Sequence, residues 1–154
     1  MSEIETRLKA LGLALPSPWT PRGMFLPWRK AGDLVFLSGQ ICEWDGAVVC
    51  EGPVGTQLDV TQARKAAQIC ALNLLYCLKQ SCDTLDAVAQ VIRLGGFVNC
   101  VPGFPDSPKV IDGASQLFID LYGETGRHVR TAVGVAGLPG NAAVEVDAVF
   151  RLKS

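Results

Sequence analysis

Residues 143–152 read Ala-Val-Glu-Val-Asp-Ala-Val-Phe-Arg-Leu, and this decapeptide decides how the rest of the chain is arranged. Val144, Val146, Ala148, Phe150 and Leu152 alternate with Glu145, Asp147, Val149 and Arg151. A period of two sends one set to each side of a β-strand, so one face is solidly apolar and the other carries most of the charge. Just upstream, Thr131 to Ala136 predicts another strand, with Leu138-Pro139-Gly140-Asn141 as the connection. If the two strands pair through that turn, Arg130 and Glu145 lie at the same end of the pair.

Further upstream the signals change to helical ones. Ser107 to Gly123 predicts a helix with Ser107 as cap and Pro108 at its first position, because Val110, Ala114, Leu117, Phe118 and Leu121 fall on one stripe. Gly123 marks its end. Ala87 to Val98 predicts a strand whose internal Gly95-Gly96 signals a bulge or a close backbone approach. Asp59 to Ser81 is the longest helix signal: Asp59 and Gln62 form a capping box, and no Gly or Pro interrupts the run that follows. Met24–Trp28 and Leu34–Ile41, separated by Ala31-Gly32-Asp33, predict a hairpin, and Asp45-Gly46 predicts a tight turn with a short return strand over Ala47–Val49. A short helix is expected within Ser2–Leu15, stopped by three prolines at 16, 18 and 21. The order implies an α+β fold, a mixed sheet with two helices on one face, built as a single domain over 25–154 behind an N-terminal extension, 1–24.

Composition narrows the function. The 154 residues are 49 % hydrophobic and only 19 % charged, below the roughly 25 % usual for globular proteins. Part of the outside is therefore covered by another subunit, or the surface is rich in small polar groups; the oligomer is the favoured expectation. A net charge of -1 supplies no global field for a polyanion. No apolar segment reaches the ~20 residues that span a bilayer, and MSEIETRLKALG has no signal-peptide core, so a soluble, cytoplasmic protein is expected without nucleic-acid or membrane partners. The six cysteines, at 42, 50, 70, 77, 82 and 100, form no CxxC pair and have only His128 as a companion imidazole. No metal site is expected from such spacing, and six reduced thiols are.

Three places could carry chemistry. Arg130 is either a charged strand end or a guanidinium fork that grips a carboxylate through two parallel hydrogen bonds. Arg127 and His128 beside it read as solvated turn residues. Glu145 is either one polar position of an alternating strand or a base that holds water near the anion bound by Arg130. Ser38-Gly39-Gln40 closes an apolar strand with a hydroxyl and a position where a ligand could approach the backbone. No nucleophile elbow surrounds Ser38, and the single histidine shows no evident relay to it.

Taken together, Leu37-Ser38-Gly39-Gln40-Ile41, Arg130-Thr131-Ala132-Val133-Gly134-Val135-Ala136-Gly137-Leu138-Pro139 and Ala143-Val144-Glu145-Val146-Asp147-Ala148 resemble the reactive-intermediate deaminase family, known under an older label as endoribonuclease L-PSP. The likeness runs from about Phe25 to Leu152. It implies a chorismate-mutase-like fold and a homotrimer whose three sheets form a central barrel, with sites for small carboxylate-bearing metabolites in the clefts between subunits. The activity it implies is hydrolysis of reactive 2-imino acids to 2-oxo acids and ammonia, without metal or organic cofactor. Within that resemblance Arg130 matches the carboxylate-binding arginine, Glu145 the acid that activates water, and Ser38 and Gly39 residues lining the cleft. Two positions depart from the pattern: Phe25 stands where a tyrosine is usual, and Ala132 where a cysteine is common. Phe25 can cover a substrate but cannot donate a hydroxyl hydrogen bond. A non-catalytic trimeric binding protein for such metabolites is therefore the alternative expectation. A ribonuclease role has only the older label behind it.

Overall fold

The computed structural model describes all residues, 1–154. Its elements are α1 (Glu3–Ala10), β1 (Trp28–Ala31), β2 (Leu34–Ile41), β3 (Glu43–Trp44), β4 (Ala47–Val48), α2 (Val60–Cys82), β5 (Val88–Asn99), α3 (Ser107–Tyr122), β6 (Val129–Val135) and β7 (Val144–Leu152). Five strands form one mixed sheet in the order β1-β2-β7-β5-β6, and β3 and β4 make a separate two-stranded arm. The architecture is the α+β one expected.

The capping box at the start of α2 is present as read: the Gln62 amide N–H donates to Asp59 Oδ1 (2.8 Å) and the Asp59 N–H donates to Gln62 Oε1 (2.9 Å). Small residues then let α2 lie close to the sheet and to α3, with Ala63, Ala66, Ala67 and Ala71 all fully buried. At Gly113 of α3 any side chain would strike the Arg64 backbone carbonyl. Both helices cover the same sheet face, α2 over β2 and β7, α3 over β5 and β6. A third helix completes the layer. The side chains of Ile4 and Leu8 in α1 join the common core, and Asp86 accepts the Glu3 and Ile4 N–H groups at its N-terminus, both at 2.9 Å.

Four details differ from the sequence expectations. The first strand begins at Trp28, because Met24, Phe25 and Leu26 are exposed and find no partner strand. Helix α1 stops at Ala10, before Gly12 takes a positive φ of 72°. Helix α3 starts one residue early: Asp106 holds the cap position without a side-chain cap, its carboxylate paired with Lys109 (2.9 Å). Gly95-Gly96 makes a close approach and not a bulge. A Cβ on Gly96 would sit 2.5 Å from Ile111, whereas the register shifts of β5 lie earlier, between Val88 and Gln90 and between Val91 and Arg93.

The largest correction concerns the decapeptide itself. Strands β6 and β7 are not neighbours. β6 pairs in parallel with β5, β7 pairs antiparallel with β5, and β7 lies between β5 and β2. The reason is the helix: β5-α3-β6 is a crossover unit, which returns the chain parallel to β5 on one side. Only the other side of β5 is then open to the final strand.

Candidate functional site

Register decides which face each candidate occupies. Arg130 aligns with Leu94 and, through it, Ala148, both packed under the helices. Glu145 aligns with Phe97, which aligns with Val133, and alternates with the buried Val144 and Val146. An offset of three residues reverses the face. Arg130 therefore belongs to the helix side and Glu145 to the open side, and within one chain the two do not meet. The expectation that they share one end of a strand pair is overturned by the parallel placement of β6.

On the open side, a cleft of about 870 Å³ is lined by Phe25, Gly39 and Glu145, with Trp19, Arg22 and Asn73 among its other walls. Three expected site residues thus come together. Gly39 has a more specific reason than room for a ligand: a Cβ there would collide with Glu145 Oε1. The register break between Leu37 and Gln40 in the β2–β7 pairing falls at this point. Ser38 is not in the wall. Its hydroxyl donates to the Leu26 carbonyl (2.6 Å) and its N–H to the Pro27 carbonyl (3.0 Å), so it pins the segment carrying Phe25.

Glu145 is half-buried. Burial pushes its carboxyl above the ordinary carboxylate range, and the neighbouring Asp147 adds to this. Asp147 is raised too, chiefly by burial, against the opposing pull of Arg93 at 3.3 Å. A carboxylate that is desolvated and lacks a cation of its own is a stronger base than one in water.

Arg130 is held from three directions by α3. Its Nη1 donates to Asp112 Oδ1 (2.7 Å) and Ser115 Oγ (3.1 Å), and its Nη2 donates to the Pro108 carbonyl (3.3 Å). A guanidinium has five N–H bonds. Nη1 is fully used, and Nε–H with one Nη2–H remain without a protein partner. Those two lie on adjacent nitrogens, at the spacing of two carboxylate oxygens. The side chain is 22 % exposed, so it is not sealed from solvent.

Several contributors escaped the sequence reading. Arg22 pairs with Glu43 at the cleft wall, and Asn73 donates to the Ile41 (3.3 Å) and Glu43 (2.8 Å) carbonyls, fixing the chain where it leaves β2. The proline-rich stretch runs along the same cleft from Pro16 to Pro21, with Trp19 stacked near Tyr76 (centroids 5.4 Å apart). Its prolines signalled extended chain but not where that chain would lie. Val101 and Phe104 pack near Gly55 and are not among the residues that line the cleft. His128, expected as a solvated turn residue, is partly buried against Ser115. All six cysteines are free, and no group of three or more His, Cys, Asp or Glu side chains is placed to hold a metal ion. No helix is long and apolar enough to cross a membrane.

Residues 5–150 match the family described as "YjgF/chorismate_mutase-like, putative endoribonuclease". The chain belongs to the YjgF family. It is 38 % identical over 152 residues to protein TCP17 of Trypanosoma cruzi, covering 98 % of this chain and 95 % of that one. Among solved YjgF-like structures, Atu1372 of Agrobacterium tumefaciens, of unknown function, is 41 % identical with a TM-score of 0.92, covering 98 % and 93 % of the two chains. Escherichia coli TdcF with bound serine shares the YjgF fold at 20 % identity and a TM-score of 0.59, over 91 % and 94 %.

Proposed function

We propose that the protein hydrolyses 2-imino acids to 2-oxo acids and ammonia, at a site assembled between copies of the chain in a homotrimer. The observation that carries this reading is the pair of N–H bonds, on Nε and Nη2, that the protein leaves unpartnered on an otherwise saturated Arg130 guanidinium. A carboxylate docked there is held by two parallel charge-assisted bonds, which fixes the adjacent C=N carbon in space. Glu145 supplies the base. Its carboxylate takes a proton from water as the water oxygen bonds to the imine carbon and the C=N π pair moves to nitrogen. The proton passes to that nitrogen to give the neutral carbinolamine; Glu145 then carries the hydroxyl proton to the amine as the C=O bond forms and the C–N bond breaks, which releases ammonia and restores the carboxylate. Imines are already electrophilic, so no metal or organic cofactor is required.

The opposite faces of Arg130 and Glu145 support the assembly. One chain cannot present both to one small molecule, whereas the arginine of one copy can meet the glutamate of the next. The open face is suited to such contact: Phe36, Phe97, Val133 and Val149 surround the Arg93–Asp147 pair, and Phe36 and Val133 are 46 % and 41 % exposed. In this reading residues 1–24 are an extension to a deaminase-like domain, 25–154, and serve as a wall of its cleft.

The test generates 2-aminoacrylate in situ and follows semicarbazide-trappable imine. Purified protein should speed its loss, and Arg130→Ala should not. No acceleration, or equal acceleration by the variant, overturns the activity. The second reading, a carrier of carboxylated metabolites without turnover, is favoured by Phe25, which brings no hydroxyl to the cleft. Calorimetry with 2-oxobutanoate and with serine, the amino acid bound to TdcF, separates the two: binding without turnover selects the carrier. Cleavage of RNA fits less well, since Glu43, Asp45 and Glu145 outnumber the single cation, Arg22, in the cleft wall.

A further inference from the structure

Behind Arg130 lies a hydrogen-bonded relay that the proposed chemistry does not use. His128 Nδ1 is 2.7 Å from the Gly126 carbonyl oxygen, and its Nε2 is 2.9 Å from Ser115 Oγ. A carbonyl can only accept, so Nδ1 carries the ring proton and Nε2 of the neutral ring is an acceptor. The Ser115 hydroxyl then donates to Nε2, which leaves its lone pairs to receive Arg130 Nη1–H at 3.1 Å. Each link from Gly126 through His128 and Ser115 to Arg130 Nη1 thus runs in one sense only. Ser115 stands in the middle of α3 and Arg130 in β6, and His128 sits in the chain just before that strand.

We propose that His128, acting through Ser115, is a positioning residue for the Arg130 guanidinium, and that protonating His128 releases that guanidinium from its carboxylate-binding orientation. This rests on the reading of Arg130 as the carboxylate clamp. In the imidazolium, Nε2 becomes a donor. Ser115 Oγ then faces two N–H donors from two cations, and its own hydrogen loses its acceptor. The hydroxyl can turn to a carbonyl of its own helix, a common alternative for a mid-helix serine, but the link to Arg130 is then broken.

The groups facing His128 fix the sign. From β6 comes Arg130, and from α3 come Ser115, the edge of Phe118 (centroids 6.3 Å apart) and, beyond Arg130, the Asp112 carboxylate. The turn over Gly123–Gly126 contributes the Gly126 carbonyl, and the adjacent Arg127 is paired with Glu124. Burial lowers the His128 pKa below its ordinary 6.5 and Arg130 lowers it further, while Gly126 opposes them. The ring is neutral at pH 7. The relay is therefore intact from neutral pH upward and is lost as pH falls through the depressed histidine value.

His128 is the only histidine in the chain, so its imidazole nitrogens give an unambiguous NMR signature. In the ligand-free full-length protein, the Nε2 resonance should show an unprotonated acceptor at pH 7.5. The Arg130 Nε–H resonance, assigned by its absence in Arg130→Ala, should shift with the same midpoint as His128 as pH is lowered from 7.5. In Ser115→Ala that coupling should vanish. Binding of 2-oxobutanoate should weaken about tenfold across the same midpoint, the size expected for one hydrogen bond to a charged group. His128→Gln, which can present a non-titrating acceptor at the position of Nε2, should keep the affinity of pH 7.5 and flatten the profile.

An Arg130 resonance that ignores the His128 titration, or a Ser115→Ala protein that keeps the wild-type coupling, overturns the relay. Coupled resonances in a protein that binds no 2-oxobutanoate at any pH leave the positioning intact and overturn the clamp reading instead.

Discussion

The shelf that holds Arg130 and the cleft that holds Glu145 are built on opposite principles. Every hydrogen bond to the arginine comes from α3, a helix anchored in the core by Leu117, Phe118 and Leu121, so the guanidinium has little freedom. The cleft is walled by loops: a proline-rich strap, an exposed Phe25, the Asp45-Gly46 turn and Pro139-Gly140. Glu145 and its neighbours on the strands, with Asn73 of α2, stand on regular structure there. The lesson is that the two candidate regions differ in support: the guanidinium is locked by secondary structure, whereas most of the cleft wall is irregular chain.

That contrast can be broken most severely at Glu145. Glu145→Gln should lower turnover by about 10²–10⁴, the usual loss for a removed general base, while leaving the affinity for 2-oxobutanoate nearly unchanged in calorimetry. The same substitution should raise the melting temperature at pH 7. Because the folded-state pKa of Glu145 is raised, its contribution to stability is complete below pH 4.5 and is lost as pH rises through the folded value, so the neutral amide escapes that cost. A variant that is inactive and also less stable would mean that Glu145 is structural.

Removing the shelf should be read in binding instead. Arg130→Ala should weaken 2-oxobutanoate about 100-fold, and Arg130→Lys should not restore it, since a single ammonium cannot make two parallel bonds. Mixing the two inactive variants sharpens the comparison. If one copy provides the shelf and another the cleft, co-refolded Arg130→Ala and Glu145→Gln chains should recover about a quarter of wild-type activity, the share of sites that draw an intact residue from each partner. No recovery in a mixed assembly would place both residues of a site on one chain.

Smaller effects test the cleft floor. Gly39→Ala should cut turnover about tenfold and destabilise the fold by about 1–3 kcal/mol, because the new methyl must displace the Glu145 carboxylate. Asp147→Asn should have the mildest consequence. With one of its two causes removed, the acid limb of the turnover profile set by Glu145 should move to lower pH without a change in the plateau. A limb that stays in place would assign it to another group.

The elements were legible wherever a local signal and the tertiary structure agree. The Asp59–Gln62 capping box, the uninterrupted run behind it and the strict alternation of 144–152 each state their conformation within a few residues. The family relationship was legible for a related reason, since its motifs sit on those same elements. Strand order was not. Nothing within Leu138–Asn141 says whether β6 and β7 will pair; that depends on which side of β5 the α3 crossover occupies. The same gap hid the site. Gly39 and Glu145 are distant in sequence and touch only because β2 and β7 are partners, and Ser115 reaches His128 only because α3 packs against β6. Arg22 and Asn73 gave no signal beyond an ordinary surface charge and a polar position in an apolar helix.

The two rims of the sheet carry one more consequence. At β1 the outermost strand carries Arg29 and Lys30, charges of the kind that discourage a stray strand from adding itself. At β6 the corresponding rail carries Val129, Thr131 and Val133 beside an unclaimed row of backbone groups. A chain with that rail uncovered offers a neighbouring strand an open edge to add to. Under the proposed function, the border that carries Arg130 is also the one that makes solitude hazardous, so one strip of the molecule would govern both solubility and activity.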